Sequence, residues 1–185
     1  MAKTLSSMLA LGTTAPNFTL PDTVSGKPVT LYDGKPYAAT VIVFMCNHCP
    51  FVKHIIHPLI EMAHTYIEKN IRFIAISAND ATQYPEDGPV FMKQHAEDLH
   101  FPFSYLYDET QDVAKAYQAT CTPDFFVFNG ESRCVYCGQF DRSTPGNNIP
   151  VTGEALSRAL DAILAGKPVD AHQLPSVGCN IKWKE

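Results

Sequence analysis

Positive charge is scarce in this chain. Its 185 residues hold 14 Lys and Arg against 19 Asp and Glu, a formal net charge of −5. There is no dense basic run and no aromatic platform interleaved with one, so the cations that bind phosphates are missing and nucleic acid is not an expected partner. Long hydrophobic runs are missing too. None approaches the ~20 residues needed to span a bilayer. The opening residues 1–12 carry one lysine and only a brief, serine-interrupted apolar stretch, too short for a secretory leader. A cytoplasmic location without membrane contact is the expectation. The composition is not that of a disordered chain, with 45% hydrophobic and 18% charged residues. The six cysteines are too few for a disulfide scaffold, and a chain of this length buries a core without such staples. Their expected roles are therefore as thiols, in catalysis or in metal binding. With no internal repeat and no linker, residues 1–185 read as one domain. Residues 1–35 form an N-terminal extension with a hairpin, and residues 166–185 form a C-terminal tail without predicted regular structure.

The elements that can be read are these. Phe18–Leu20 and Val29–Leu31 alternate around Pro21, Asp22, Ser25, Gly26 and Pro28, which predicts a hairpin. Residues 38–45 (Ala-Ala-Thr-Val-Ile-Val-Phe-Met) are continuously apolar and partly β-branched, as in a strand buried on both faces. Val52, Ile55, Ile56, Leu59, Ile60 and Ala63 then recur at helical spacing, with Pro58 inside the helix, where it removes one hydrogen bond and favours a kink. Ile71–Ser77 reads as a second central strand, followed by helical patterns around Val90–Asp98 and Thr110–Tyr117. Asp124–Phe128 and Arg133–Phe140 read as an antiparallel pair turned by Asn129-Gly130. A last helix spans about Gly153–Leu164, ended by Gly166 and Pro168. Strands joined by helices imply a parallel core to the sheet, with antiparallel strands added late: an α/β fold with a central mixed sheet flanked by helices.

Cys46 and Cys49 stand where a buried strand hands over to a helix, at the carboxyl end of the sheet where reacting groups collect. Two intervening residues place the sulfurs close enough to bond. Unpaired N–H groups and the positive helix end are expected to favour a thiolate at Cys46. That makes Cys46 the expected attacking thiol and Cys49 the resolving one. The competing readings are a structural disulfide or half of a zinc site, which needs about four ligands. A second pair, Cys134 and Cys137, lies on a predicted strand, where residues three apart face opposite ways. His54 and His57 share a helix that must also pack its apolar face. No metal and no cofactor are expected.

Thr122-Pro123 enters a strand, an unusual position for proline that often marks a tight turn. Cys121 precedes it and is a candidate third thiol or a small buried side chain. His48, between the two cysteines, would stabilise a thiolate at Cys46 when protonated, making the pair more oxidising than that of thioredoxin. Asn79, Asp80 and Arg142 follow strand ends and are candidates to line the site. Cys179 lies in the tail.

In these features the chain resembles the thioredoxin superfamily over nearly its whole length, and its redoxin or peroxiredoxin-like branch in particular. Residues 12–22 (Gly-Thr-Thr-Ala-Pro-Asn-Phe-Thr-Leu-Pro-Asp) with Gly26-Lys27 resemble the opening of redoxins and alkyl-hydroperoxide-reductase-type proteins. Cys46-Asn47-His48-Cys49 matches the CxxC motif. Thr122-Pro123 matches the cis-proline loop that faces it. The segment Met45–Val52, Tyr107-Asp108-Glu109 and the tail Gly178–Lys182 look like a group of peroxiredoxin-like proteins carrying CxxC. The resemblance implies a thioredoxin-like fold. It also implies that Thr122 offers its backbone to an extended substrate segment, and that Pro123 keeps the loop near the sulfurs and denies metal a place. Protein disulfides or dithiols and an electron donor are the implied partners. One departure separates two activities. A peroxidatic cysteine carries Thr or Ser three positions before it and Pro seven before; Cys46 has Val43 and Ala39 there, and Cys49 has Cys46 and Ile42. Dithiol–disulfide exchange is the expected activity, with thiol peroxidase as the alternative.

Overall fold

The computed structural model describes residues 3–185; Met1 and Ala2, which open the stretch read above for a leader, lie outside the described residues. In chain order the strands and helices are β1 (Lys3–Leu5), β2 (Thr19–Pro21), β3 (Pro28–Thr30), β4 (Ala39–Phe44), α1 (Pro50–Ile67), β5 (Ile71–Ser77), α2 (Pro89–Asp98), β6 (Ser104–Tyr107), α3 (Asp112–Ala116), β7 (Cys121–Thr122), β8 (Asp124–Asn129), β9 (Cys134–Gly138), α4 (Glu154–Leu164) and β10 (Val177–Asn180). A single 3-10 turn at Pro85–Asp87 precedes α2.

The main sheet runs in the order β6-β5-β4-β8-β9. β4 pairs with β5 in parallel and with β8 antiparallel, and β5 pairs with β6 in parallel. This is the mixed sheet expected from the sequence, and β2 with β3 forms the expected hairpin. β4 is central because its alternate residues fill two cores. Val41 and Val43 face one cluster with Ile55, Leu59 and Leu160, whereas Ile42 and Phe44 face another with Tyr117, Phe126 and Phe128. Seven residues of α1, from Val52 to Tyr66, are buried, and the helix runs uninterrupted through Pro58. Among the described residues, no helix is long and apolar enough to cross a membrane.

Three features depart from the sequence reading. β6 has no signature in the sequence, because Ser104–Tyr107 is four residues of edge strand with three buried and no longer alternation to reveal it. The tail is not irregular: β10 pairs antiparallel with β7 on one side and β1 on the other. Finally, Cys134 and Cys137 face the same way. The ladder between β8 and β9 shifts register between Val127 and Phe128, so Cys134 stands opposite Phe128 and Cys137 opposite Phe126. The extra residue of this bulge restores both sulfurs to one face, in the cluster with Phe126 and Phe128.

Candidate active site

β4 ends at Phe44, and Met45 N–H still bonds to Ile76 O. α1 begins at Pro50, where the missing N–H costs nothing and the fixed φ suits a first turn. The helix therefore starts later than the sequence suggested. Cys49 is its N-cap residue, with extended backbone at φ −64° and ψ 121°, and Cys46 lies in the loop before it. The helix end accordingly lies at Cys49 rather than at Cys46, and the Cys49 side chain makes no capping hydrogen bond to it.

All six cysteines are thiols and all are buried. Cys49 Sγ donates to Thr122 O at 3.1 Å, and Cys46 Sγ lies 3.6 Å from Thr122 Oγ1. The Thr122–Pro123 peptide bond is cis. The fold thus brings together Cys46, Cys49, Thr122 and Pro123. It also brings Cys179, which the sequence left in an unstructured tail: its register partner is Thr122. The backbone edge of Thr122 that the resemblance offers to substrate is occupied by β10, and no side chain fits at Gly178, where an added Cβ would collide with the Thr122 carbonyl.

Electrostatically the pair divides unequally. The hydrogen bond from Cys46 brings Cys49 down to about 5 against the cost of burial, helped by Thr122, the Val52 N–H and the Cys179 thiol. Cys46 is held well above the ordinary thiol range, first because it is the partner that keeps the proton, then by burial and by the charge of Asp87. The acidity expected at Cys46 falls on Cys49, first because Cys46 keeps the proton and only then through Thr122 and the Val52 N–H of the helix end.

Asp87 was not anticipated. It sits between two prolines, Pro85 and Pro89, in a segment that reads as a solvated loop, yet it is fully buried. One oxygen accepts the N–H of Asn47 at 2.9 Å and of His48 at 3.2 Å; the other accepts Asn79 Nδ2 at 2.8 Å and His48 Nδ1 at 2.5 Å. His48 Nδ1 is 3.9 Å from Cys46 Sγ, and its ring stacks on Tyr84 with centroids 5.4 Å apart. His48 therefore comes to Cys46 with a buried carboxylate behind it. Asn79 joins the site through Asp87. Asp80 instead closes its own turn with Thr82, and Arg142 is exposed. The ligand atoms of Cys46, His48 and Asp87 lie within 4.8 Å of one another, a spacing that would admit a cation, but four hydrogen bonds already engage the Asp87 oxygens.

Cys121 approaches Pro123 O at 3.8 Å and Ser176 O at 4.0 Å. Burial pushes its thiol far up, so it is a packed side chain.

The AhpC/TSA family model matches residues 11–136. An uncharacterized conserved protein from Geobacillus kaustophilus superposes with a TM-score of 0.97 at 56% identity, covering 100% of this chain and 97% of that one. The thioredoxin domain of a thiol-disulfide oxidoreductase from Bacteroides vulgatus gives 0.58 at 20% identity, covering 70% and 89%. A peroxidoxin from Mycobacterium tuberculosis gives 0.63 at 17% identity, covering 86% and 98%. These last two are alike in fold alone. No curated protein matches the chain.

Proposed function

The chain belongs to the AhpC/TSA family, and from that premise we propose that it is a thiol–disulfide oxidoreductase in which Cys46 attacks and Cys49 resolves. The observation that carries this reading is the meeting of both sulfurs at Thr122, beside the cis Thr122–Pro123 bond, Cys46 at the hydroxyl and Cys49 at the carbonyl. A Cys49 thiolate accepts the Cys46 S–H proton, which leaves Cys46 as the nucleophile. Cys46 then attacks a sulfur of the substrate disulfide, one substrate thiolate departs, and a mixed disulfide forms. Cys49, once it has lost that proton again, attacks Cys46 Sγ and releases the second substrate thiol.

Both sulfurs are buried, so exposure alone does not rank them; Asn47 and His48, which follow Cys46 in the chain, line an open groove with Lys53 and Phe91. Near Pro123 a second groove, lined by Phe51, His54 and Phe140, offers an apolar surface for a protein substrate. His48 is proposed to modulate Cys46, held in place by Asp87. Protein disulfides are the proposed substrates, with a separate thiol donor to reduce the pair. Peroxidase chemistry is less well supported, since Val43 and Ala39 occupy the positions where a peroxidatic site carries a hydroxyl and a proline.

Insulin-disulfide reduction by the wild type against Cys46→Ser and Cys49→Ser tests the reading. Cys46→Ser is expected to lose turnover, and Cys49→Ser to accumulate a mixed disulfide detectable by mass spectrometry. Unchanged activity in Cys46→Ser, or peroxide turnover without disulfide turnover, would overturn it.

A further inference from the structure

β10 crosses the redox pair along the edge where an extended substrate segment would lie. Its register sets Cys179 opposite Thr122, and both redox sulfurs touch Thr122, Cys46 at its hydroxyl and Cys49 at its carbonyl. Cys46, Cys49 and Cys179 belong to one buried cluster. Cys49 Sγ reaches the carbonyl of Thr122, the residue that stands opposite Cys179 in the ladder, and the two thiols act on each other electrostatically. A glycine next to it, Gly178, lets the strand backbone approach Thr122 this closely. A cysteine is thus presented to the pair by a strand of the same chain.

We propose that Cys179 is a third redox-active thiol, which attacks Cys49 Sγ in the oxidised pair and stores the oxidation as a Cys49–Cys179 disulfide. The inference rests on the reading of Cys46 and Cys49 as the redox pair. The steps balance. An organic disulfide first oxidises the pair, giving a Cys46–Cys49 bond and two substrate thiols. The Cys179 sulfur then bonds to Cys49 Sγ, the Cys46–Cys49 bond breaks, and Cys46 leaves with its electron pair and takes the proton that Cys179 gives up. One disulfide is exchanged for another, and Cys46 returns to the thiol form.

Thr122 Oγ1, 3.6 Å from Cys46 Sγ, can donate to that sulfur as it leaves, and burial and Asp87, which hold Cys46 above the ordinary thiol range, make it the sulfur that takes up the proton. Burial holds the Cys179 thiol up at about 12, and the sulfur of Cys49 adds to that. The second contribution vanishes once Cys49 is bonded in a disulfide, so Cys179 gives up its proton more readily in the oxidised chain than in the reduced one. The consequence is a lock. A Cys49–Cys179 bond fastens β10 across Thr122 and keeps that edge closed until a thiol donor reduces it.

The full chain is treated with oxidised glutathione, quenched in acid, alkylated and mapped by non-reducing peptide mass spectrometry. Wild type should yield both Cys46–Cys49 and Cys49–Cys179 peptides. Cys46→Ser should pass through glutathionylated Cys49 to the Cys49–Cys179 peptide alone, and Cys179→Ala should lack that peptide. A wild-type map without Cys49–Cys179 overturns the proposal, as does a Cys46→Ser chain that keeps glutathione on Cys49 and an alkylated Cys179. The insulin assay separates this outcome from the fate of the parent reading. A chain that reduces insulin but never forms Cys49–Cys179 removes the third thiol alone. A chain that forms it without reducing insulin removes the proposed function and upholds the thiol.

Discussion

The chain contains the same spacing twice, Cys46-x-x-Cys49 and Cys134-x-x-Cys137, and the two motifs live in different chemistry. The first spans the end of a strand and the cap of a helix. There a neighbouring thiol, a threonine and a backbone N–H bring Cys49 down to about 5. The second lies within β9, folded onto one face by a bulge and packed among Phe126 and Phe128. There burial raises Cys134 to about 11 and Cys137 to about 12. Each motif also has a buried aspartate. Asp87 beside the first engages both oxygens in hydrogen bonds. Asp124 near the second accepts from Ser6 at 3.0 Å through one oxygen, while among the described residues its other oxygen lacks a partner. Its ionisation is pushed up to about 7 by burial. The spacing makes a disulfide possible; the surroundings decide whether either sulfur ionises.

The largest test swaps one substitution between the motifs. Cys46→Ser should lower insulin reduction by about a thousandfold or more, because the nucleophile is removed. Cys134→Ser and Cys137→Ser should leave turnover within about twofold of wild type, since neither sulfur touches the reacting atoms. Equal losses at both motifs would erase the distinction.

Next in size is the charge behind the second motif. Asp124 ionises near 3.8 in the unfolded chain and at about 7 in the fold. Between those values the folded chain holds a proton that the unfolded chain has lost. Its contribution to stability is therefore full below pH 3.8, declines as pH rises towards 7 and levels above, a total of about 4 kcal/mol at roughly 1.4 kcal/mol per unit. Asp124→Asn should accordingly gain on wild type as pH rises from 4 to 7.5. Urea unfolding at a series of pH values measures the difference, and a difference that does not vary with pH would show that Asp124 is not protonated in the fold.

Stability should reverse the order seen in activity. Cys137→Ser places a hydroxyl in an apolar cluster, at a cost of about 2 kcal/mol. Cys46→Ser should cost less, since the Thr122 hydroxyl and the His48 ring give that site polar neighbours. Urea midpoints measured with unchanged slopes decide this. A larger loss at Cys46 would make the first motif the structural one.

The contrast between the motifs was partly legible. The run from Ala38 to Met45 and the helical spacing from Val52 to Ala63 place Cys46 and Cys49 at a strand-to-helix junction, because strand and helix periodicities are strong there. The order of CxxC and Thr122-Pro123 is also visible in the chain, as is the mixed sheet. What could not be read depends on pairing over distance. A single extra residue at the bulge turns Cys137 to the face of Cys134, and nothing in Cys134–Gly138 announces it. Three residues decide where α1 begins, and so which thiol the helix end serves. Asp87 looks solvated between its prolines until the turn folds inward, and Cys179 becomes part of the site only because β10 finds β7 and β1.

The smallest effect probes the thiolate itself. At pH 7 the first motif should hold one thiolate per chain and the second none, because the only depressed thiol among the four is Cys49. Thiolate absorbance near 240 nm should therefore fall on acidification through about pH 5, and the fall should vanish in Cys49→Ser but persist in Cys137→Ser. Thr122→Val keeps the backbone carbonyl and removes the hydroxyl whose hydrogen bonding lowers both redox thiols. Its midpoint should move up, by less than about one unit, since the larger contribution of the neighbouring thiol remains. A midpoint unmoved by Thr122→Val would leave the shared proton and the helix end as the whole difference between the two motifs. A fall that vanished with Cys137 instead would assign the thiolate to the wrong face of the sheet, and with it the chemistry.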